Sequence, residues 1–475
     1  MFSQYTRLYS EHRALIEANA PAAMNAPRAA AFEALASLFG ASQTAGRQAL
    51  PTALRERFKY TDLKPLMQPE YGLNLGRLPF AVSRKEAFRC GVPGISEQPL
   101  VVVNDQLQSA LTADATPQQG VSVCRLSQLA HERPQLLAQH YARAARPTAD
   151  PVTALNTMLA QDGLAIVVSR NTRMEQPLQV INLLSSPVDM MVNRRVLILV
   201  EQGAEAQLLF CDHIATQQGS NATAPQTGGN ATTGGAATRY LATQVIETYL
   251  AQDARLDLFC MEETGPQCVR LSQLFIEQQR DSHLCHNIVT LQNGLTRNQT
   301  DVQLLAPGAE AYLGGCVIAD GRQHVDNNTL IRHAAPHCDS RQLYKYVLDG
   351  NATGAFAGRI HVEEGAQKTT SQETNQNLCA SPEARMFTQP MLEIYADDVK
   401  CSHGSTVGQL NDAALFYMQQ RGIPLQEART LLQMAFLDEV IDGISLPPLR
   451  QRLHHLVERR FRGRLRNCDG CHICK

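Results

Sequence analysis

The sequence predicts a mainly β protein with a helical region at each end of the chain. The chain has 475 residues. Between about 150 and 400 long helical stripes are missing, and short apolar runs such as Val196 to Val200 and His283 to Leu291 recur instead. In Arg255 to Met261, Leu and Cys alternate with Asp and Phe, which is the period-two pattern of a strand. Because no helical crossovers separate these runs, we expect a sandwich, a barrel or a solenoid.

The first region, residues 1–145, is predicted to be mainly helical. Apolar residues at helical spacing mark a first helix around Leu8 to Ile16, and Pro21 and Pro27 separate it from a second helix that ends at Gly40. A short strand from Leu100 to Asn104 is expected before further helix between Ser127 and Arg143.

The β core is predicted to span residues 146–408, and it contains an insert at about 216–238. The insert has no large apolar residue, so it has little surface to bury. We therefore expect a disordered loop within the core.

The last region, residues 409–475, is predicted to be helical. Asn411 or Asp412 can cap a helix that Gly422 ends, and Pro424 begins the next helix. The expected apolar stripe of that helix is Leu425, Ala428, Leu431, Leu432, Ala435 and Phe436. A third stripe is Leu449, Leu453, Leu456, Val457 and Phe461. The basic face opposite this stripe is either solvated or in contact with a protein or an acidic surface.

Composition restricts the class of protein. The chain has 43 Lys and Arg, 45 Asp and Glu and a net charge of −2, which argues against a general nucleic-acid binder. Its 13 Cys are scattered, as expected in a reducing compartment. No export signal is visible, and no apolar run approaches the length of a membrane span. These features predict a cytoplasmic protein without a membrane segment.

The densest group of reactive side chains surrounds Cys401 and His403. The chain lacks the G-x-x-x-x-G-K-[ST] loop of ATPases, so ATP hydrolysis by this chain alone is not expected. If the strand Leu392 to Tyr395 continues through this group, Cys401 and His403 point to the same side. They would then suit Fe or Zn, or act as a nucleophile and its base. A buried Cys beside a hydrogen-bonded His is the remaining alternative.

The C-terminal tail contains a second group of thiols. Cys468, Cys471 and Cys474 form two C-x-x-C spacings that share one residue. Three thiolates at this spacing can bind one metal or contribute to an iron–sulfur cluster, whereas a frayed tail would leave them as free thiols.

The segment Pro390 to Gly408, which includes Tyr-Ala-Asp-Asp-Val-Lys-Cys-Ser-His-Gly, closely resembles the SufD signature of the SufB/SufD family of iron–sulfur cluster assembly proteins. In SufB a carboxylate typically follows the His, whereas Gly404 follows His403 here. Further segments also resemble the family, namely Glu56 to Asp62 with Phe58 in place of the usual Trp, Ser340 to Gly350, Ala355 to Val362, Thr374 to Leu378 and Ala414 to Ile423.

The resemblance implies a right-handed parallel β-helix between the two helical domains, which selects the solenoid among the β folds above. It also implies a non-catalytic scaffold subunit that pairs with SufB through the β-helix and docks a SufC ATPase through its C-terminal domain. A complex of one SufB, one SufD and two SufC is expected, and a homodimer when the chain is alone. The tail cysteines are not part of the family pattern.

The resemblance further assigns His403 and Cys401 to the SufB–SufD interface, where transient iron or a nascent cluster would lie. A reduced flavin in the assembled complex is also implied, while no cofactor is expected to bind the isolated chain tightly. Two rival hypotheses are a β-helix polysaccharide lyase or hydrolase using Asp397 and Asp398, and a stand-alone metal-binding protein using the tail thiols. The absence of Trp and of an export signal disfavours the first.

Overall fold

The computed structural model describes residues 3–40, 52–96, 99–108, 118–215 and 237–463. The predicted disordered insert at about 216–238 lies outside the described residues except for its last two positions. Cys468, Cys471 and Cys474 also lie outside them.

Short helices dominate the N-terminal part, and the C-terminal part contains three helices between residues 409 and 463. The N-terminal helices are α1 (Ser3–Ala18), α2 (Ala22–Asn25), α3 (Arg28–Gly40), α4 (Thr52–Arg57), α5 (Leu63–Met67), α6 (Arg84–Ala87), α7 (Leu126–Glu132), α8 (Pro134–His140) and α9 (Pro151–Leu159). The C-terminal helices are α10 (Asp412–Gln420), α11 (Leu425–Asp442) and α12 (Pro447–Phe461). No helix in these described parts is long and apolar enough to cross a membrane.

Strands fill the middle of the chain. The first are β1 (Gly72–Leu73), β2 (Leu100–Val103), β3 (Gln106–Leu107), β4 (Val121–Arg125), β5 (Leu164–Val168), β6 (Leu178–Leu184), β7 (Met190–Val200), β8 (Glu205–Ile214), β9 (Tyr240–Leu250) and β10 (Arg255–Glu263). They are followed by β11 (Cys268–Gln278), β12 (His283–Gln292), β13 (Leu295–Leu304), β14 (Glu310–Ala319), β15 (His324–His333), β16 (Asp339–Leu348), β17 (Thr353–Val362), β18 (Thr370–Cys379), β19 (Arg385–Ile394) and β20 (Lys400–Gly408).

From β5 onward, successive strands alternate between two sheets, and each strand pairs in parallel with the strand two places later. The chain thus makes eight turns of a parallel β-solenoid, which confirms the predicted fold class. The turns differ in length: Val269 pairs with Leu295 and Thr353 pairs with Arg385, spacings of 26 and 32 residues. This variation explains why no strict repeat is visible in the sequence.

The main core lies between the two sheets, where residues of successive turns stack in columns. Leu258 and Leu313 belong to this interior. The outward face of the same sheet is also apolar, because Phe259 and Met261 pack under α11 and α12 beside Leu437. Both faces of the central strands are therefore buried, as is usual for parallel sheets, and the helical regions supply the cover.

Helix α11 presents only part of its predicted apolar stripe to the solenoid. Asn411 caps α10 as expected, accepting hydrogen bonds from two backbone N–H groups. In α11, however, Leu425 and Leu431 are exposed, whereas Gln433 and Leu437 are buried. The predicted stripe is therefore confirmed only in part, since Ala428 is buried and Phe436 packs against the core beneath the helix. The positions that differ are set by the sheet surface under the helix, which the helix's own periodicity does not encode.

The stripe of α12 is confirmed, since Leu449, Leu453, Leu456 and Val457 are buried. The basic residues around it are only partly solvated. Arg460 donates hydrogen bonds to the Leu291 carbonyl oxygen at 2.6 Å and to Asp320 at 2.8 Å. This arginine therefore ties the C-terminal helices to the solenoid.

The two ends of the solenoid differ. At the N-terminal end, β4 and β3 close the sheets through antiparallel pairing, although both lie in the predicted helical region. At the C-terminal end, β19 and β20 are the last strands of their sheets and pair on one side only. The predicted domain boundaries near residues 145 and 408 stay predictions.

Candidate functional site

Cys401 and His403 lie on β20, the last strand of the solenoid. The prediction that this strand continues Leu392 to Tyr395 was wrong: β19 ends at Ile394, and after a corner β20 begins in the other sheet. Lys368 forms an ion pair with Asp398 at this corner, and the Asp398 N–H donates to the Gln367 side chain at 2.9 Å.

Cys401 and His403 nevertheless share a face of β20, because alternate residues of a strand point to the same side. In the register of the sheet Cys401 pairs with Ser371, and His403 pairs with Glu373. These columns lead back to Ala311 and Leu313 of the interior. Both side chains therefore belong to the inward face, at its open end.

The two side chains differ in exposure. Cys401 is half-buried and packs against the cluster of Ile360 and Val362, and this burial raises the pKa of its thiol. The thiol is therefore mainly protonated at neutral pH, which disfavours an activated nucleophile. His403 is exposed, and its side chain forms no hydrogen bond within the described ranges.

The site supplies two donors of the kind that bind iron or zinc. Metal binding would displace the proton of the Cys401 thiol, since the thiolate is the ligand. Among the residues that the structure describes, no group of three Cys, His, Asp or Glu side chains is placed to hold a metal ion. A closed tetrahedral site needs four ligands, so the remaining ligands would have to come from another molecule or from the tail.

Sequence reasoning missed the polar interior beneath this site. On β14 the inward residues are Ala311, Leu313, Gly315 and Val317, whereas two turns later on β18 they are Ser371, Glu373, Asn375 and Asn377. All four of the latter are buried. The sequence does contain a sign of it, the run Thr-Ser-Gln-Glu-Thr-Asn-Gln-Asn at 370–377. In this run the residues on both faces of the strand are polar, although one face has to be buried.

Glu373 is the only ionisable member of this polar set. It is 1 % exposed, and burial raises the pKa of its carboxyl group to about 8. Gln342 donates a hydrogen bond to Oε2 at 3.2 Å, while Oε1 has no partner. The other titratable groups that face it are His403 in the next turn and the Tyr344 hydroxyl.

We expect the free energy of unfolding to fall as the pH rises from about 5 to 8 because of Glu373. The folded carboxyl keeps its proton up to a pKa of about 8, whereas the ordinary value is 4.5. Between these values the folded chain binds more protons than the unfolded chain, so stability is lost with increasing pH, at up to about 1.4 kcal/mol per pH unit. Urea unfolding of the parent and of Glu373→Gln at several pH values measures this contribution. If the free energies of unfolding of the two proteins changed with pH in the same way, this expectation would be contradicted.

Comparison with known families matches most of the chain. A model described as the SufBD core domain of SUF system FeS cluster assembly matches residues 183–436. A model of the SufBD protein N-terminal region matches residues 1–180.

Two of the relatives match along most of the chain, and a third matches less than half of it. An iron–sulfur cluster assembly SufBD family protein of Synechocystis is 28% identical over 434 residues, which cover 91% of this chain and 89% of the relative. The iron–sulfur cluster assembly protein SufD of Escherichia coli is 28% identical over 421 residues, covering 88% of this chain and 90% of the relative. A SufBD family protein of Mycobacterium leprae is 33% identical over 221 residues, covering 45% and 56%.

Proposed function

The chain belongs to the SufBD family of SUF-system iron–sulfur cluster assembly proteins, and we propose that it is the SufD-type subunit of a complex with SufB and SufC. In this proposal the chain is a non-catalytic scaffold of the cytoplasm. It presents Cys401 and His403 to iron or to a nascent cluster at the boundary with SufB, while SufC hydrolyses ATP.

One observation carries the proposal: the two donors lie on an uncovered terminal strand, and the described part of the chain does not supply the further ligands of a closed site. The edge of β20 offers unpaired backbone N–H and C=O groups, which favour pairing with a strand of another chain. Val407 is 51% exposed and Tyr395 is 62% exposed, so the same end also offers apolar contact. A partner solenoid at this end would cover the open edge of β20 and would supply further metal ligands.

The C-terminal helices offer a second surface, which we assign to SufC. Phe416 and Tyr417 on α10 are 63% and 59% exposed. Leu425 and Leu431 on α11 are also exposed. Exposed aromatic side chains grouped on one surface are typical of protein interaction sites.

Flavin receives no role in this chain by itself. In this proposal a reduced flavin binds the assembled complex and not the isolated chain.

The rival hypotheses receive less support. Asp398 is engaged in the corner between β19 and β20 through Lys368 and Gln367, a structural use that does not suit an acid–base pair for sugar cleavage. A stand-alone metal-binding function would rest on Cys468, Cys471 and Cys474, which lie outside the described residues. The ten described cysteines are free thiols, consistent with the proposed reducing compartment.

The proposal is tested by co-expressing the chain with SufB and SufC of the same organism. We expect the three proteins to co-elute in size-exclusion chromatography, with ATP turnover that requires SufC. ATP hydrolysis by the isolated chain, or its elution apart from both partners, would overturn the proposal.

We expect the double substitution of Phe416 and Tyr417 by Asp to weaken SufC binding at least tenfold without unfolding the chain. The two rings are exposed, so charge at these positions disturbs an interface more than the fold. Calorimetric titration with SufC measures the dissociation constant. Leu78→Asp is the control, because Leu78 is 67% exposed on the N-terminal side of the chain. Unchanged affinity of the double variant would place the docking surface elsewhere.

A further inference from the structure

The buried acid Glu373 lies directly inward of His403. The column that contains both runs through Leu313, Gln342, Glu373 and His403 on β14, β16, β18 and β20. Neighbouring strands of a sheet are about 4.8 Å apart, so side chains in one column stack on each other. Glu373 is thus enclosed by Gln342 on its inner side and by His403 on its outer side.

The carboxyl group of Glu373 reaches across the interior to the opposite sheet. An added Cβ at Gly358 of β17 would overlap this carboxyl group, so a glycine at that position gives it room. The partner of Gly358 in the next turn is Pro390. The acid therefore lies immediately under the terminal turn, between Pro390 on one sheet and His403 on the other.

One oxygen of this acid lacks a partner in the described structure. Gln342 uses Oε2, and Oε1 accepts no hydrogen bond. Leaving such a buried group unpaired costs about 1–3 kcal/mol, and buried polar groups in native proteins are generally satisfied. Two neighbouring donors lack a partner among the described residues: the Tyr344 hydroxyl group in the interior and the ring nitrogens of His403 in the next turn. Of these, only His403 lies at the open end of the solenoid.

We propose that Glu373 is the positioning residue of His403: Oε1 accepts a hydrogen bond from one ring nitrogen, and the second ring nitrogen then points out of the open end of the solenoid. This inference rests on the proposed function, because it gives that second nitrogen its task at the partner interface. An oxygen acceptor for the other N–H of a ligating His fixes the tautomer and the ring orientation, and the carbonyl oxygen of a protonated carboxyl group can be that acceptor. The polar inward face of β18 is then the inner wall of the site. Burying these polar side chains destabilises the fold, and the proposed contact gives that burial a functional reason.

The contact is tested on the isolated chain by ¹⁵N spectroscopy of its histidine rings, with the His403 signals assigned by their loss in His403→Asn. We expect one ring tautomer of His403 to dominate in the parent and in Glu373→Gln, which keeps an acceptor oxygen. In Glu373→Met, which fills the interior without an acceptor, the two tautomers should approach the mixture of a free imidazole. Ser371→Ala is the matched control, because it removes a buried polar group from the neighbouring column.

The role in assembly is tested separately, by the iron and sulfide content of the complex co-expressed with SufB and SufC. We expect Glu373→Met to lower cluster content about tenfold, the lower end of the range for outer-shell partners of metal ligands, and Glu373→Gln to keep more than half. An unchanged His403 spectrum in Glu373→Met would overturn the proposed contact. An altered spectrum with full cluster content would leave the contact intact and overturn the role of this contact in assembly, whereas the role of His403 itself is tested by His403→Ala. Melting temperatures verify that each variant is folded.

Discussion

Replacing His403 with Ala is expected to lower the iron and sulfide content of the co-expressed complex at least tenfold. A neutral imidazole can ligate iron and a methyl group cannot. Even the loss of an outer-shell partner costs about 10–100-fold in metal affinity or activity. The side chain is exposed on the terminal strand, so the substitution should leave the fold intact. Iron and sulfide assays of the purified complex measure the effect, with circular dichroism as the folding control.

Two further variants separate ligation from other roles of His403. His403→Cys keeps a metal ligand and should retain more cluster than Ala, whereas a role in proton transfer would leave Cys no better than Ala. Ser402→Ala is the matched control, because Ser402 is exposed on the same strand and points to the opposite face. Full cluster content in a correctly assembled His403→Ala complex would refute the proposed site.

The largest loss of stability is expected from Glu247→Ala in strand β9. Arg195 donates a hydrogen bond to Glu247 at 2.6 Å, and the two side chains are 0% and 1% exposed. The Glu247 carboxylate also accepts the N–H groups of Ala142 and Ala145 at 2.8 and 3.1 Å, which join the N-terminal region to the solenoid. Removing it leaves a buried guanidinium group without a carboxylate partner, and we expect a loss of about 3–5 kcal/mol in the free energy of unfolding.

Urea unfolding provides the measurement, and a surface ion pair provides the control. Glu201 is 36% exposed and pairs with Arg133 at 3.4 Å. Because exposed pairs contribute about 0–1 kcal/mol, Glu201→Ala should change stability little. The double variant Arg195→Met with Glu247→Leu should recover part of the loss, since it leaves no buried charge unpaired. Equal losses for Glu201→Ala and Glu247→Ala would contradict the expectation.

The sequence by itself determined the local features of this protein. The runs at Val196 to Val200 and Arg255 to Met261 are strands as predicted, because alternation and β-branched content act within one strand. Asn411 caps α10, and Gly422 follows that helix with φ of 83°, since capping depends on neighbouring residues alone. The motif resemblance added the solenoid and the assignment of Cys401 and His403 to a partner interface.

Only the tertiary structure decided how distant residues meet. Glu373 is brought beneath His403 by the pairing of β18 with β20, and this register depends on turns whose lengths vary along the solenoid. The exposed face of α11 depends on which sheet surface lies below it, so Leu425 remains outside although it belongs to an apolar stripe. Periodicity describes each element alone, whereas the burial of a side chain depends on its neighbours in space. The partnership of a buried acid with an exposed histidine could therefore be found only once the turns were stacked.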